Sequence, residues 1–351
     1  MTAVVGVPAL RLQAPPAPFT HLTRLTDDTG LLEHARHAVA RRAHGYCTDD
    51  VARGLLVVSR EPDPSPALLR LAGIYLAFLT HAQDNSGAFH NRLSYDRRWT
   101  DEPGTGDWWG RALWGLGTAV ARSRAPWIRQ EALLAFDLGA ARRSPAPHAM
   151  AFAGLGAAEV LHRYPDHAGA ATLLADAAAA VGWPESDPLW SWPRRHLAYA
   201  SAAHAEVVIL AGAAQQDVAL RAAGLRMLSW LREFQLAGGR LSVPPAAGWH
   251  RGTPRQQFDQ QPIEVAAFAD ACASAAAATG DTGWYDGVRR SIGWFLGDND
   301  TGSVMWDPDT GGGYDGLTPH GPNLNQGAES TLALISTLQH ARVAGLEVRT
   351  P

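Results

Sequence analysis

The sequence predicts an all-α protein of twelve helices arranged as six antiparallel pairs. Three observations carry that expectation. Segments of helical period, rich in Ala, Leu and Arg, recur along the chain. No long β-type alternation interrupts them. The connections fall into a short set and a mostly long set, as in an up-and-down array whose alternate loops lie at opposite ends.

Helical periodicity places the elements near 30–41, 48–60, 66–82, 107–122, 126–140, 147–163, 168–181, 200–214, 217–235, 262–279, 283–296 and 327–344, and the first is expected to close against the last. Thr48 and Asp107 are suited to cap their helices, and Pro262 suits a first helical position with Glu264 as its cap partner. The short connections are 61–65, 124–126, 164–167, 215–216 and 280–282. The long ones are 83–106, 182–199, 236–261 and 297–326, and each leads into the amino terminus of the next helix. Loops of that length inside a compact domain are usually functional. Within them, 240–243 and 303–307 are expected to form small β-hairpins over the same end.

Composition narrows the function classes. The 351 residues are 46% hydrophobic, which excludes disorder and gives ample core for a single domain over 1–351. Residues 1–20 are read as an extended N-terminal segment. A net charge of -4, with no basic run, argues against nucleic-acid binding. No apolar run is long enough for a membrane span. All 30 basic residues are Arg, so Schiff-base, pyridoxal and P-loop lysine chemistry is excluded. The stretch from Met1 to Phe19 lacks the charged start and apolar run of a signal peptide, and a cytoplasmic protein is expected. Cys47 and Cys272 cannot build a disulfide framework or a four-cysteine metal site. Both are read as unreactive core, with the Cys47 thiolate disfavoured beside Asp49.

Four helix starts carry acids in the first turn: Thr48-Asp49-Asp50, Asp107-Trp108-Trp109, Gln261-Pro262-Ile263-Glu264 and Gln326-Gly327-Ala328-Glu329. Any one acid could simply complement the helix dipole. As a set they are crowded by Gln, Asn and Trp, the mixture a sugar-binding cleft requires. Hydroxyls need polar partners, and pyranose faces need flat aromatic surface. Trp99, Trp108, Trp109, Trp190, Trp192, Trp249 and Trp306 fall in or beside the long loops, whereas Trp230 and Trp294 are read as core. A carboxylate pair is the minimal equipment for glycosidic hydrolysis, one protonated to donate and one to activate water. Asp49, Asp50, Asp107, Glu264, Asp315 and Glu329 are the candidates. His148 and His204 begin two further helices on this face, as substrate ligands, epimerase bases or ordinary structural histidines. No metal is expected. A zinc motif is absent, and the acidic turns 298–302 and 307–311 lack calcium-loop spacing. Nor is there a G-x-S-x-G nucleophile elbow.

These residues carry a family likeness. Six helical pairs with polar loops at one end resemble the (α/α)6 toroid of the six-hairpin glycosidase superfamily. The run His21-Leu22-Thr23-Arg24-Leu25-Thr26-Asp27-Asp28-Thr29-Gly30, then Gly45-Tyr46-Cys47-Thr48-Asp49-Asp50-Val51-Ala52-Arg53, is similar to a bacterial group fused to or found beside glycosyltransferases. Some of its members neighbour mannoside-active enzymes. The likeness continues through Gly110-Arg111-Ala112-Leu113-Trp114, Gln260-Gln261-Pro262-Ile263-Glu264, Tyr314-Asp315-Gly316 and Asn323-Leu324-Asn325-Gln326-Gly327-Ala328-Glu329-Ser330-Thr331. Val51 stands where the group usually has Asn. The resemblance implies the toroid, a carbohydrate substrate and a functional link to a glycosyltransferase.

The resulting expectation is a cofactor-free glycoside hydrolase acting on an oligosaccharide or glycoconjugate, with mannose among the candidate sugars. Inversion is expected by analogy with other toroidal glycosidases. Asp50, Asp107, Glu264 and Glu329 are the catalytic candidates, with Glu264 or Glu329 as acid and Asp50 or Asp107 positioning water. Arg53 and Arg111, one turn in from Asp50 and Asp107, are expected to hold those carboxylates ionised. Substrate contacts are expected from Asp49, Arg53, Trp108, Trp109, Arg111, His148, His204, Gln260, Gln261, Tyr314, Asp315, Asn325 and Gln326. Two alternatives stand beside this reading: a sugar 2-epimerase using His148 and His204, and a non-catalytic carbohydrate-binding partner of a glycosyltransferase.

Overall fold

The structure is a computed structural model that describes residues 11–13 and 15–349. Six helices form an inner ring: α2 (Thr48–Ser59), α4 (Asp107–Arg122), α6 (Pro147–Arg163), α8 (Ala202–Ala214), α10 (Pro262–Thr279) and α12 (Ala328–Val343). Each packs on the next, and α12 packs back on α2. An outer layer consists of α3 (Pro66–Ala82), α5 (Pro126–Ala140), α7 (Ala168–Val181), α9 (Val218–Phe234) and α11 (Tyr285–Phe295). The short helix α1 (Thr20–Leu25) completes that layer by packing on α12. This is an all-α (α/α)6 toroid.

Local chemistry explains why the chain divides this way. Long stretches of the inner helices are buried around their whole circumference. Ala202 through Ile209 of α8 and Pro262 through Cys272 of α10 are all buried, as a helix with neighbours on every side requires. Outer helices begin at clear stops and starts. The Ser65 hydroxyl accepts the Leu68 N–H at 3.3 Å ahead of Pro66, and the Asp217 carboxylate accepts the Leu220 N–H at 2.9 Å. Helix α10 ends on Gly280, whose φ of 72° turns the chain into the next element.

One expected helix is absent. The segment 30–41 instead forms an antiparallel pair of Ala35–Arg36 with Val39–Ala40. Asp27 directs this by accepting the Thr29 and Gly30 N–H groups in a tight turn. Leu32 and Glu33 then donate backward and outward, to the Leu25 and Gly45 carbonyls. The spacing of Leu31, Leu32 and Ala35 imitates a helical stripe, but long-range backbone pairing wins. The helix that closes on α12 lies upstream, at Thr20–Leu25.

Both expected hairpins form. Arg240–Leu241 pairs with Leu236–Ala237, and Trp306–Asp307 pairs with Gly312–Gly313. Residues 1–10 and 14 of the expected extended segment lie outside the described residues. Arg11–Gln13 pairs antiparallel with Glu347–Arg349, so the two ends of the described chain meet. No helix among the described residues is long and apolar enough to cross a membrane.

The closest helix contact in the ring is between α4 and α6. A Cβ on Gly117 would strike the Gly156 carbonyl, and one on Gly156 would strike the Leu113 carbonyl. The two backbones therefore touch through glycine.

Candidate functional site

Every long connection lies where the inner helices begin, and there the axis opens into a cleft of about 720 Å³. Its floor is organised by Arg53, one turn into α2. The guanidinium lies 2.7 Å from Asp49 Oδ1, 2.5 Å from Asp50 Oδ1 and 3.2 Å from Glu329 Oε2. Beside it, the Arg111 Nε lies 4.0 Å from Asp49 Oδ2, and the guanidinium sits 3.6 Å over the Phe152 ring.

One guanidinium shared by three carboxylates cannot neutralise them all. Burial of Asp50, 3% exposed, pushes its carboxyl well above the usual range. Arg53 opposes that shift, while Asp49 and Glu329 add to it. Desolvation is the larger effect and the Arg53 ion pair the opposing one, so the Asp50 carboxyl lies above rather than below its ordinary value. Arg111 turns to Asp49 rather than to Asp107.

Asp107 lies on the neighbouring helix and accepts a hydrogen bond from the Tyr199 hydroxyl. Burial, together with Asp107, raises the Tyr199 phenol, so it remains a donor. Trp108 lines the wall, fixed by its Nε1 donating to the Phe89 carbonyl at 2.6 Å. Gln261 and Asp315 also face the cleft. Asp315 Oδ1 accepts the Gly327 N–H at 2.7 Å and the Ser330 hydroxyl at 2.5 Å, which holds the start of α12.

Other candidates stand elsewhere. Glu264, 3% exposed, does not line the cleft; its Oε1 accepts the Ala200 N–H at 2.5 Å at the approach to α8. Burial raises its carboxyl to about 8. Gln260 is fully buried, with Nε2 donating to Asp300 at 2.5 Å and Oε1 accepting the Trp294 N–H at 2.9 Å. Gln326 bonds Thr310 and Asp307, Asn325 accepts the His37 N–H, and Tyr314 packs on the core from a half-buried position. His148 and His204 pack with ring centroids 4.2 Å apart and planes tilted by 48°, and Tyr199, which lines the cleft, stacks on His148. Burial lowers both imidazoles.

The tryptophan platform is not present. Of the seven loop tryptophans only Trp108 lines the cleft. Trp109, Trp190 and Trp192 are fully buried. Trp99 stacks on His90, Trp249 packs between Trp190 and Phe234, and Trp306 is half-buried in its hairpin. Long loops need an apolar core of their own to hold a shape, and these indoles supply it.

Glu33, Asn91, Arg92 and Tyr199 line the wall and escaped the sequence reading. Glu33 and Arg92 form an ion pair across the rim, and Asn91 Oδ1 accepts the Cys47 thiol at 3.3 Å. Glu33 was read into a helix that does not form, and the 83–106 loop gives no local sign that Arg92-Leu93 pairs with Tyr46-Cys47 and brings Asn91 beside Cys47. Ligand atoms of Glu33, Cys47 and Asp50 lie within 4.8 Å of one another. Arg92 and Arg53 already bond the two acids, and burial with Asp50 pushes the Cys47 thiol far up, so a cation would compete with two guanidiniums. The acidic turns close on themselves, with Asn299 Oδ1 accepting the Thr301 N–H and Asp307 Oδ1 the Asp309 N–H.

Glu264 makes a test of this geometry through pH. It holds its proton in the folded protein up to about 8, whereas an ordinary glutamate ionises near 4.5. Folding therefore takes up a proton between those values, and stability falls as pH rises across them. Glu264→Gln is expected to flatten that slope by about 1.4 kcal/mol per pH unit, read by denaturant unfolding at several pH values. An unchanged slope would place an ionised carboxylate at this position.

The (α/α)6 toroid recurs among solved structures of low sequence identity. Among solved structures, the chain is similar to a sugar epimerase from a ruminal bacterium at 12% identity and a TM-score of 0.69, covering 93% of this chain and 95% of that one. It is similar to cellobiose 2-epimerase from Bacillus thermoamylovorans at 11% identity and a TM-score of 0.68, covering 91% and 95%. An α-1,6-mannanase from Salegentibacter, an inactive variant in complex with α-1,6-mannotetrose, is similar at 8% identity and a TM-score of 0.61, covering 93% and 96%. No protein-family model and no curated protein matches the sequence.

Proposed function

We propose that this protein is a glycoside hydrolase acting on an oligosaccharide or glycoconjugate, with α-mannosides the first substrates to try. The observation that carries the reading is the convergence of Asp49, Asp50 and Glu329 on Arg53, with burial pushing the carboxyl of Asp50, the most buried of the three, well above its usual range. A protonated acid beside ionised carboxylates is what glycosidic cleavage needs. Asp50 is the general acid in this reading. Asp107, on the next helix and oriented by Tyr199, activates water in this reading, with inversion expected by analogy with other toroidal glycosidases. The mannanase offers support: its inactive variant replaces two consecutive aspartates, and Asp49-Asp50 is the consecutive pair at this cleft.

A second reading, sugar 2-epimerisation, is favoured by the adjacent His148–His204 pair behind Tyr199 and by the epimerases among the similar structures. One screen separates the two. Manno-, gluco- and galacto-oligosaccharides are incubated with the protein and followed by mass and anomeric NMR. Smaller sugars released with the inverted anomer are the expected result. An unchanged mass with a new sugar would replace this reading by the epimerase. Glycan binding without turnover would replace both with a carbohydrate-binding module.

A further inference from the structure

The ring has a second opening. At the far end, where the inner helices finish, a pocket of about 350 Å³ lies on the same axis as the cleft. A smaller pocket of about 40 Å³ sits between them, bordered by Arg53 on the cleft side and by Glu206 on the far side. None of the residues given a catalytic role above borders the far pocket.

The charges of this pocket are already matched. Arg60 donates to Asp270 Oδ1 at 2.9 Å and His340 joins the same oxygen. Arg122 Nε lies 2.8 and 3.0 Å from the two Glu159 oxygens. A charged ligand would have to break one of these pairs. What stands unmatched is hydrogen-bonding capacity. Glu206 is 4% exposed; its Oε1 accepts the Ser274 hydroxyl at 2.7 Å and its Oε2 has no partner. Gln339 is 3% exposed; its Nε2 donates to the Val57 carbonyl at 2.8 Å and to Glu61 at 2.6 Å, which orients the amide and leaves Oε1 without a partner. Buried polar atoms left so are rare and call for a ligand or water. Burial and Asp270 raise the Glu206 carboxyl to about 8, so at neutral pH it donates while Gln339 accepts. The Trp114 indole adds a flat apolar wall.

We propose that the far pocket is a second binding site, taking one neutral, hydroxyl-rich molecule of monosaccharide size between Glu206 and Gln339 and against Trp114. A hydroxyl both donates and accepts, which suits this unmatched pair, and the volume lies at the small end of ligand pockets. The site stands whether or not the cleft hydrolyses glycosides.

D-glucose and D-mannose are the probes, used with the full chain in crystal soaks and in ligand-observed NMR. The expected result is a sugar in the far pocket bonded to Glu206 and Gln339. Gln339→Leu is expected to weaken binding there by about tenfold, the effect of one lost buried hydrogen bond. Ala277→Trp, at an exposed position on the pocket rim, fills the site without touching the core and is expected to abolish that binding event. Asp50→Asn leaves it unchanged. Sugar in the upper cleft alone, sugar in neither place, or binding indifferent to Ala277→Trp would each overturn the assignment.

Discussion

Asp50→Asn lowers turnover by about 10²–10⁴-fold, the usual contribution of a positioned general acid. The fold survives the change, because Asn keeps the side-chain volume and Arg53 retains Asp49 and Glu329 as partners. Thermal melting close to that of the parent protein distinguishes lost chemistry from lost structure. The pH profile adds a second readout. Burial raises the Asp50 carboxyl, so activity is present while the proton is held and declines as pH rises through that group's titration. In the Asn variant the residual activity loses that alkaline limb. Glu264→Gln, by contrast, is expected to cost less than about tenfold, since Glu264 binds the backbone at Ala200 and does not reach the cleft. Should Glu264→Gln abolish turnover and Asp50→Asn spare it, the acid is Glu264 and the floor around Arg53 is a binding surface only.

Gly156→Ala destabilises the protein by about 3 kcal/mol, at the upper end of what overpacking costs. The added methyl has no side chain to push aside. It meets the Leu113 carbonyl and the Trp114 backbone nitrogen, so relief requires α4 and α6 to separate. That movement would also shift Asp107 at the start of α4. The same substitution at Gly169, exposed in the first turn of α7, is the control. There a Cβ meets only the His167 ring at ordinary contact distance, 3.5 Å, and alanine is expected to be neutral or slightly stabilising. Chemical denaturation of the two variants checks the contrast. Equal effects at both positions would mean that the α4–α6 contact yields more readily than its backbone geometry implies.

How far the sequence could be read depended on the range of the interactions involved. Helices announce themselves locally: the Ala-rich period of α8 and α10, the Pro at the starts of α3, α5 and α10, and the Gly after α10 need no partner to be recognised. The alternation of short and long connections then fixed which end carries the loops, and with it the convergence of the starts of α2, α4, α10 and α12. What the sequence could not supply was which loop residue faces inward. Gln260 and Gln261 are adjacent, yet one is fully buried in the Trp294–Asp300 network and the other lines the cleft. The loop tryptophans were compositionally right for a sugar platform and geometrically spent on supporting the loops. Tyr199 was visible only as the last residue of a connection, although it orients Asp107 and covers His148. Glu33 was hidden by a false helical stripe whose fate depended on Gly45, twelve residues away. Electrostatics was the least legible layer. An Arg three residues after an Asp reads as an ion pair, and only burial reveals that three acids share it.

The pairing of Arg11–Gln13 with Glu347–Arg349, and of α1 with α12, has a consequence for how the molecule comes into being. A ring fastened by its two ends has no stable partial form with a finished centre. As the chain leaves the ribosome, α2 to α10 can assemble pair by pair, but the gap between α10 and α2 stays open until α12 is made. Glu329 arrives on that helix, so Arg53 meets its third carboxylate only at closure. Until then α1, already synthesised, waits for a neighbour that is more than 300 residues away in sequence. Such long-range closure slows folding and exposes apolar inner helices in the meantime. Newly made protein would thus acquire its cleft in one late step, with activity appearing together with the finished ring.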